Sequence, residues 1–237
     1  MPPTAFDLSV VGYLPWQHKA ATDNTPKEDN MKLAVVGTGM IVDLLGAHLI
    51  EWGCDVAAIV GTPNTMDRVS KLVGKIGSEG CKGWPDYAEM LASTTPEEVD
   101  AIYVAVPNFL HYSFCKQALE AGRNVIVEKP MCSNAREAEE LAAMARERQA
   151  FFFEAITTLY PPTYKKLGEL LPRIGTVERY DINPELQWEN EFRAFASMMG
   201  AGDLEGCYRM LDQSLLVSRV QTEARQSAGV VFPADEA

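Results

Sequence analysis

A chain of 237 residues can hold one sizeable domain, or one domain with a smaller partner, and its 47% hydrophobic content is ordinary for a packed core. A formal net charge of -12 and a pI of about 4.7 argue against nucleic acid, whose phosphates need clustered Lys and Arg, and against an anionic membrane surface. The cysteines Cys54, Cys81, Cys115, Cys132 and Cys207 are scattered and form no C-x-x-C pair, which disfavours a disulfide framework or a metal site and points to buried thiols in a reducing, cytoplasmic setting.

Residues 1–30 include the polar, aperiodic "HKAATDNTPKEDN" and read as a flexible N-terminal extension. They lack the basic start of a signal peptide, and no apolar run in the chain is long enough to span a bilayer. From Met31 the chain alternates strand and helix. "KLAVV" is a strand ending at Gly37. Ile41, Leu44, Leu45, His48, Leu49 and Trp52 then recur at helical spacing, closed by Gly53. "DVAAIV" is a strand and "TMDRVSKLVGKI" a helix. Thr95 caps a turn through Pro96. "AIYVAV" is a strand stopped by Pro107, and "NFLHYSFCKQALEAG" a helix closed by Gly122. "NVIVEK" is a strand. Asn134 with Glu137 gives a capping-box pattern for a helix through Arg148, and "AFFFEAI" is a further strand.

Val- and Ile-rich strands, each followed by a helix, imply parallel units covered on both faces. The expected fold class is α/β: a doubly wound parallel sheet of Rossmann type over residues 31–156. Residues 157–237 read as a shortened, mainly helical region: a short helix at "YKKLGELL", one strand at "GTVERYDI", then two longer helices. The first of these carries Trp188, Phe192 and Phe195 on one face. The second, capped by Asp203, runs from Leu204 to about Ser227 with Leu204, Tyr208, Leu211, Leu215 and Leu216 as its stripe.

The chemistry-bearing stretches fall at strand ends. "GTGMIV" follows the first strand and opens the first helix, where glycines let backbone approach a pyrophosphate and helix N–H groups face the anion. Val42 stands where the motif's third glycine would be, and a turn that binds nothing is the alternative. An NAD site wants an acid at the end of the second strand, yet none occurs before Asp67. Thr62, Asn64 and Arg68 are there instead, which favours NADP over NAD. Pro107, Asn108 and His111 follow the strand "AIYVAV", with Asn108 and His111 one turn apart and expected to face the same crevice. Glu128 and Lys129 emerge at the end of "NVIVEK". There a lysine can donate to a ribose hydroxyl or polarise a substrate oxygen, with Glu128 orienting it and Pro130 ending the strand.

Taken in order, "AVVGTGMIV", "DYAEML", "VAVPNFLHYSFCKQALEAGRNVIVEKP" and "FFFEAITTLYPP" resemble the glucose–fructose oxidoreductase and inositol dehydrogenase family. The combination of P-N-x-x-H, A-L-x-x-G and E-K-P at these spacings is far more specific than the glycine turn. The resemblance implies a two-domain NAD(P)-dependent oxidoreductase acting on a sugar, cyclitol or related small molecule. It implies that Gly37, Thr38, Gly39, Met40 and Ile41 hold the pyrophosphate, that Pro107, Asn108, His111 and Glu128 line the cofactor, and that Lys129 lies beside nicotinamide and substrate. The family's second domain is a large open sheet that supplies a D-x-x-x-H pair and a subunit interface. This chain has only His18, His48 and His111, and runs from "GTVERYD" almost directly into "INPELQWENEF". The catalytic group carried over is therefore Lys129 alone, and oligomerisation is left open. Two readings stand: a shortened NAD(P)-dependent oxidoreductase, or a relative that keeps the dinucleotide crevice without chemistry. A methyltransferase shares a glycine-rich turn, but P-N-x-x-H and E-K-P speak against it.

Overall fold

The computed structural model describes residues 30–157 and 184–236. The expected helix "YKKLGELL" and strand "GTVERYDI", like all but the last residue of the N-terminal extension, lie outside the described residues.

The strands are β1 (Met31–Val36), β2 (Cys54–Val60), β3 (Lys82–Trp84), β4 (Ala101–Val104), β5 (Asn124–Glu128) and β6 (Phe152–Ala155). The helices between them are α1 (Met40–Gly46), α2 (Met66–Ile76), α3 (Tyr87–Ser93), α4 (His111–Glu120) and α5 (Ala135–Glu147), followed by α6 (Pro184–Ala201) and α7 (Leu204–Ser227). The strands form one six-stranded sheet in the order β3-β2-β1-β4-β5-β6, every pair parallel. This is the doubly wound order, in which the chain reverses direction across the sheet between β1 and β4 and leaves a crevice at their carboxyl ends. β3, only three residues long, was not read as a strand from sequence. Its "KGW" lacks the Val and Ile that mark the others, and pairing with β2 supplies what propensity does not.

Both faces of the central strands are apolar, because both are covered. Leu33, Val35, Tyr103, Ile126 and Phe153 face one way, against α1, α2 and α6. Ala34, Val36, Ile102, Val104, Val125, Val127 and Phe152 face the other, against α3, α4 and α5. α6 closes the first face over β4 to β6. Phe192 meets Tyr103 edge-on at 5.5 Å, and Phe195 stacks on Phe153 at 4.5 Å. Both phenylalanines are fully buried, each stabilising by about 1.5–3 kcal/mol. α7 lies along the β6 edge and against α5.

Two expected stripes are corrected by the packing. The first helix ends at Gly46, not near Trp52. Gly46 presses on Ile76, whose Cγ2 would lie 2.6 Å from an added Cβ, and the chain continues in tight turns such as Trp52 N–H to Leu49 O at 3.1 Å. Leu45, Leu49 and Trp52 still reach the core, while Leu44 is exposed. On α7 the buried face is Cys207, Met210, Leu211, Ser214 and Leu215, and Leu216 faces out. The cap of α5 forms in part as read: Asn134 Oδ1 accepts from Glu137 N–H at 2.9 Å, but Glu137 reaches back to the Ser133 N–H at 3.1 Å instead of that of Asn134.

Candidate functional site

Parallel pairing brings the ends of β1, β2, β4 and β5 to one edge of the sheet, so the glycine turn, Thr62–Arg68, Pro107–His111 and Glu128–Pro130 share that edge. The two glycines of the turn differ in kind. Gly37 has φ of +121° and donates its N–H to Val60 O at 3.0 Å, and a Cβ there would lie 2.4 Å from Ala105 O. The fold itself requires glycine at this position. Gly39, the residue before α1, has an ordinary φ of -79°, and a Cβ there would meet nothing within 4 Å. Its open side is a place where a ligand can approach backbone. Met40 is the first residue of α1 and is 77% exposed, so an apolar side chain stands at the rim with nothing covering it. Thr38 and Ile41 are partly buried beside it.

At the end of β2, a short 3-10 turn over Pro63–Thr65 is closed by reciprocal bonds. Thr62 N–H donates to Thr65 Oγ1 at 2.8 Å, and the Thr62 and Thr65 hydroxyls lie 3.1 Å apart. Asn64 and Arg68 are exposed on this turn and the start of α2. At the end of β4, Pro107 and Asn108 are exposed, and Phe109 is 74% exposed.

His111 departs from expectation. It does not face the crevice; it is fully buried. Nδ1 lies 2.9 Å from Pro130 O and Nε2 2.9 Å from Val106 O. Carbonyls only accept, so both contacts are hydrogen bonds when both ring nitrogens carry protons. The imidazole pins the loop after β5 to the end of β4. Asn108–Leu110 is a 3-10 turn and α4 starts only at His111, whose ring is drawn inward between the Val106 and Pro130 carbonyls while Asn108 stays exposed.

Glu128 also departs from expectation. It does not orient Lys129; its carboxylate Oε1 accepts from the Tyr103 hydroxyl at 2.5 Å. Strand alternation explains this, since Glu128, two residues after Ile126 on β5, turns with it towards the α6 face. Lys129 is exposed and precedes a cis peptide to Pro130. Its ammonium has no hydrogen-bond partner among the described residues.

Around Glu128 and the loop that follows it lies a buried cluster that the sequence did not reveal. Glu154 Oε1 accepts from Met131 N–H at 2.8 Å, fixing the chain just after Pro130. Burial pushes the Glu154 carboxyl above its ordinary range, against hydrogen bonds from Ser214 and Met131 that pull it down. Glu191 of α6 is 1% exposed, and its Oε1 has no hydrogen-bond partner among the described residues. Burial first, then the negative charges of Glu128 and Glu154, hold its carboxyl well above the usual range. Burial and the adjoining Glu128 carboxylate likewise raise the Tyr103 phenol. Each of these residues left a trace in the sequence. Glu191 falls on the stripe Trp188, Phe192, Phe195 at helical spacing, and Glu154 and Tyr103 interrupt strands that are otherwise apolar.

The model of an oxidoreductase family with an NAD-binding Rossmann fold (GFO_IDH_MocA) matches residues 31–155, over half of the chain. The chain belongs to this family. Among curated members, scyllo-inositol 2-dehydrogenase (NADP(+)) IolU of Bacillus subtilis is 30% identical over 169 residues, covering 70% of this chain and 49% of that protein. D-xylose 1-dehydrogenase (NADP(+)) of Hypocrea jecorina is 32% identical over 160 residues, covering 63% and 40%. Among solved structures, KijD10, a 3-ketoreductase from Actinomadura kijaniata in complex with NADP and TDP-benzene, superposes with a TM-score of 0.53 at 28% identity, covering 61% of this chain and 43% of that one. The gentamicin A biosynthesis protein GenD2, in complex with NAD, gives a TM-score of 0.50 at 28% identity over 60% of this chain and 39% of that one. The chain spans about half the length of the curated relatives it matches. Among the described residues no helix is long and apolar enough to cross a membrane.

Proposed function

We propose that residues 31–156 bind a nicotinamide dinucleotide along the carboxyl edge of the sheet. The pyrophosphate lies against Gly37, Thr38, Gly39, Met40 and Ile41. Thr62, Asn64 and Arg68 meet the adenosine ribose, and Pro107 and Asn108 flank the chain's reversal point. Lys129 faces the nicotinamide and a substrate oxygen. Glu128 and His111 act through position, holding the loop that carries Lys129. The observation that supports this best is the open side of Gly39 on a sheet edge that collects all four motif stretches. An exposed guanidinium at Arg68, with no acid at the end of β2, favours NADP over NAD.

The bound dinucleotide would supply hydride exchange with a hydroxyl or carbonyl carbon. The chain's own contribution is to hold that carbon and to move a proton at its oxygen. The exposed Lys129 ammonium can donate to the oxygen, and the names of the relatives point to a polyhydroxylated substrate. No Asp-x-x-x-His occurs in the C-terminal half, so the usual acid/base partner is absent from this sequence. Positioning accounts for roughly 7–11 kcal/mol of barrier and a placed acid/base for about 10²–10⁴-fold. We therefore infer micromolar-class dinucleotide binding with little or no turnover, which lies nearer the second of the two readings drawn from the sequence. Calorimetric titration with NADPH and NADH tests the binding. Wild type should bind at micromolar-class affinity, Gly39→Val should lose binding while its melting temperature holds, and Arg68→Ala should weaken NADPH more than NADH. Unchanged affinity in Gly39→Val would sink the assignment.

A further inference from the structure

The residues after α7 do more than end the helix. Gly229, at φ +75°, stops it, and Val230 N–H closes back on Arg225 O at 3.0 Å. Such a cap is all that a helix end requires. Residues 230–236 nevertheless turn back as a hook, with a 3-10 turn over Pro233–Asp235 in which Asp235 Oδ2 accepts from the Phe232 N–H at 2.8 Å. Terminal segments fray unless they are tied down, and Arg225 ties this one. Its guanidinium forks onto Asp235 at 2.6 and 2.8 Å, donates to Val230 O at 2.8 Å and lies 3.9 Å from the Phe232 ring centre. The two charged side chains are only 13% and 7% exposed. Shielding an ion pair from water is costly, and an apolar pair would often stabilise as much, so what the fork adds is a fixed geometry.

What the hook holds lies on another element. The Ala234 carbonyl accepts from Asn134 Nδ2 at 2.8 Å and from an Arg136 guanidinium nitrogen at 3.1 Å. Asn134 is buried and caps α5 with its side-chain oxygen. Thr222 of α7 adds a tie beside it, its Oγ1 accepting from Ala135 N–H at 3.0 Å. Asn134 is also the far end of the loop that leaves β5 at Lys129. The near end of that loop is held by His111 at the Pro130 carbonyl and by Glu154 at the Met131 amide. Only Met131, Cys132 and Ser133 separate the two ends. A segment so short has little slack, so an anchor that shifts at Asn134 shifts the loop as far as Lys129. The glycine turn after β1 shares no bond with this clamp.

We propose that Arg225 and Asp235 are positioning residues for Lys129: by fixing Ala234 they clamp Asn134, and with it the loop that presents the lysine on the sheet edge. The pair stays ionised throughout the neutral range, since the hydrogen bonds from Arg225 hold the Asp235 carboxyl down to about 2. The role given to Lys129 rests on the functional reading above, whereas the clamp on its loop can be measured without any dinucleotide.

Two measurements on the full chain test it. The first needs no ligand. Hydrogen exchange at the Met131 and Ser133 amides should be at least about tenfold faster in Asp235→Asn, with Val125, Ile126 and Val127 of β5 unchanged. The second follows the Cε resonance of Lys129 in lysine-labelled protein, assigned by its absence in Lys129→Arg, as NADPH is added. Saturating NADPH should shift it in wild type. In Asp235→Asn the shift should fall to less than a third, while the calorimetric affinity for NADPH changes less than threefold. A purely structural hook would lower the melting temperature and leave that shift intact. Should Asp235→Asn fail to fold, Arg225→Lys, which keeps a charge but cannot fork, should give the same losses. Unchanged exchange in a folded variant overturns the proposal, and so does faster exchange with an undiminished shift. If the wild-type resonance ignores NADPH, the functional reading of Lys129 fails, and exchange alone then decides the clamp: faster exchange supports it and unchanged exchange overturns it.

Discussion

The turn after β1 and the loop after β5 reach the same edge of the sheet, yet they are built in opposite ways. The first is held by backbone. Gly37 adopts a conformation and a closeness to Ala105 O that only glycine allows, and Gly39 stands open. The second is held by side chains from far along the sequence. Tyr103 fixes Glu128, His111 fixes the Pro130 carbonyl and Glu154 fixes the Met131 amide. A backbone turn leaves N–H groups free for a ligand. A side-chain lattice leaves one long residue, Lys129, projecting from an otherwise tethered loop. The difference implies that the first turn tolerates little change in residue size at Gly37, while the loop after β5 depends on buried groups behind it.

The sharpest way to break this contrast is at the glycines. Gly37→Ala combines a positive φ with a 2.4 Å approach to Ala105 O. It should cost at least about 3 kcal/mol, or about 6–12 °C in melting temperature at about 2–4 °C per kcal/mol. Gly39→Ala meets no atom within 4 Å and should melt within about 2 °C of wild type. Equal losses in thermal scans would show that the two glycines do the same job. On the β5 side, His111→Leu leaves the part-buried Pro130 and Val106 carbonyls without the ring that meets them. A cost of about 2–3 kcal/mol is expected, with faster amide exchange around Pro130, at about 1–3 kcal/mol for an orphaned buried group. A stable variant with unchanged exchange would mean that the loop is held by the remaining two ties.

The smallest effect has the opposite sign. Burial raises the folded-state pKa of Glu191 above its unfolded value, so the native chain binds more protons than the unfolded chain. The associated stability is present below the ordinary carboxylate range and falls as pH rises through it. Glu191→Gln should therefore raise the melting temperature by about 2–4 °C at pH 8, the equivalent of about 1 kcal/mol, and change it little near pH 4. A loss at pH 8 would instead show that the ionised carboxylate stabilises the loop above it.

The sequence by itself determined the class of the fold and the edge on which its motif stretches gather. Val- and Ile-rich strands alternating with capped helices leave little choice but a covered parallel sheet, and in such a sheet every strand ends on the same side. "GTGMI", "PN" and "EKP" each lie directly at a strand end, so local order alone placed them together. Only the tertiary structure decided what their neighbours do. His111 was expected in the crevice because its spacing from Asn108 suggested a shared helical face, but its ring is buried between the carbonyls of Val106 and Pro130. Glu128 was expected to orient Lys129 because they are adjacent, but Glu128 ends β5 facing α6 and accepts from the hydroxyl of Tyr103 on the neighbouring β4. β3 formed from a sequence with little strand propensity because β2 offered an unpaired edge. In each case the deciding partner lay on another element, and a contact between distant segments has no period or motif that a single sequence can display.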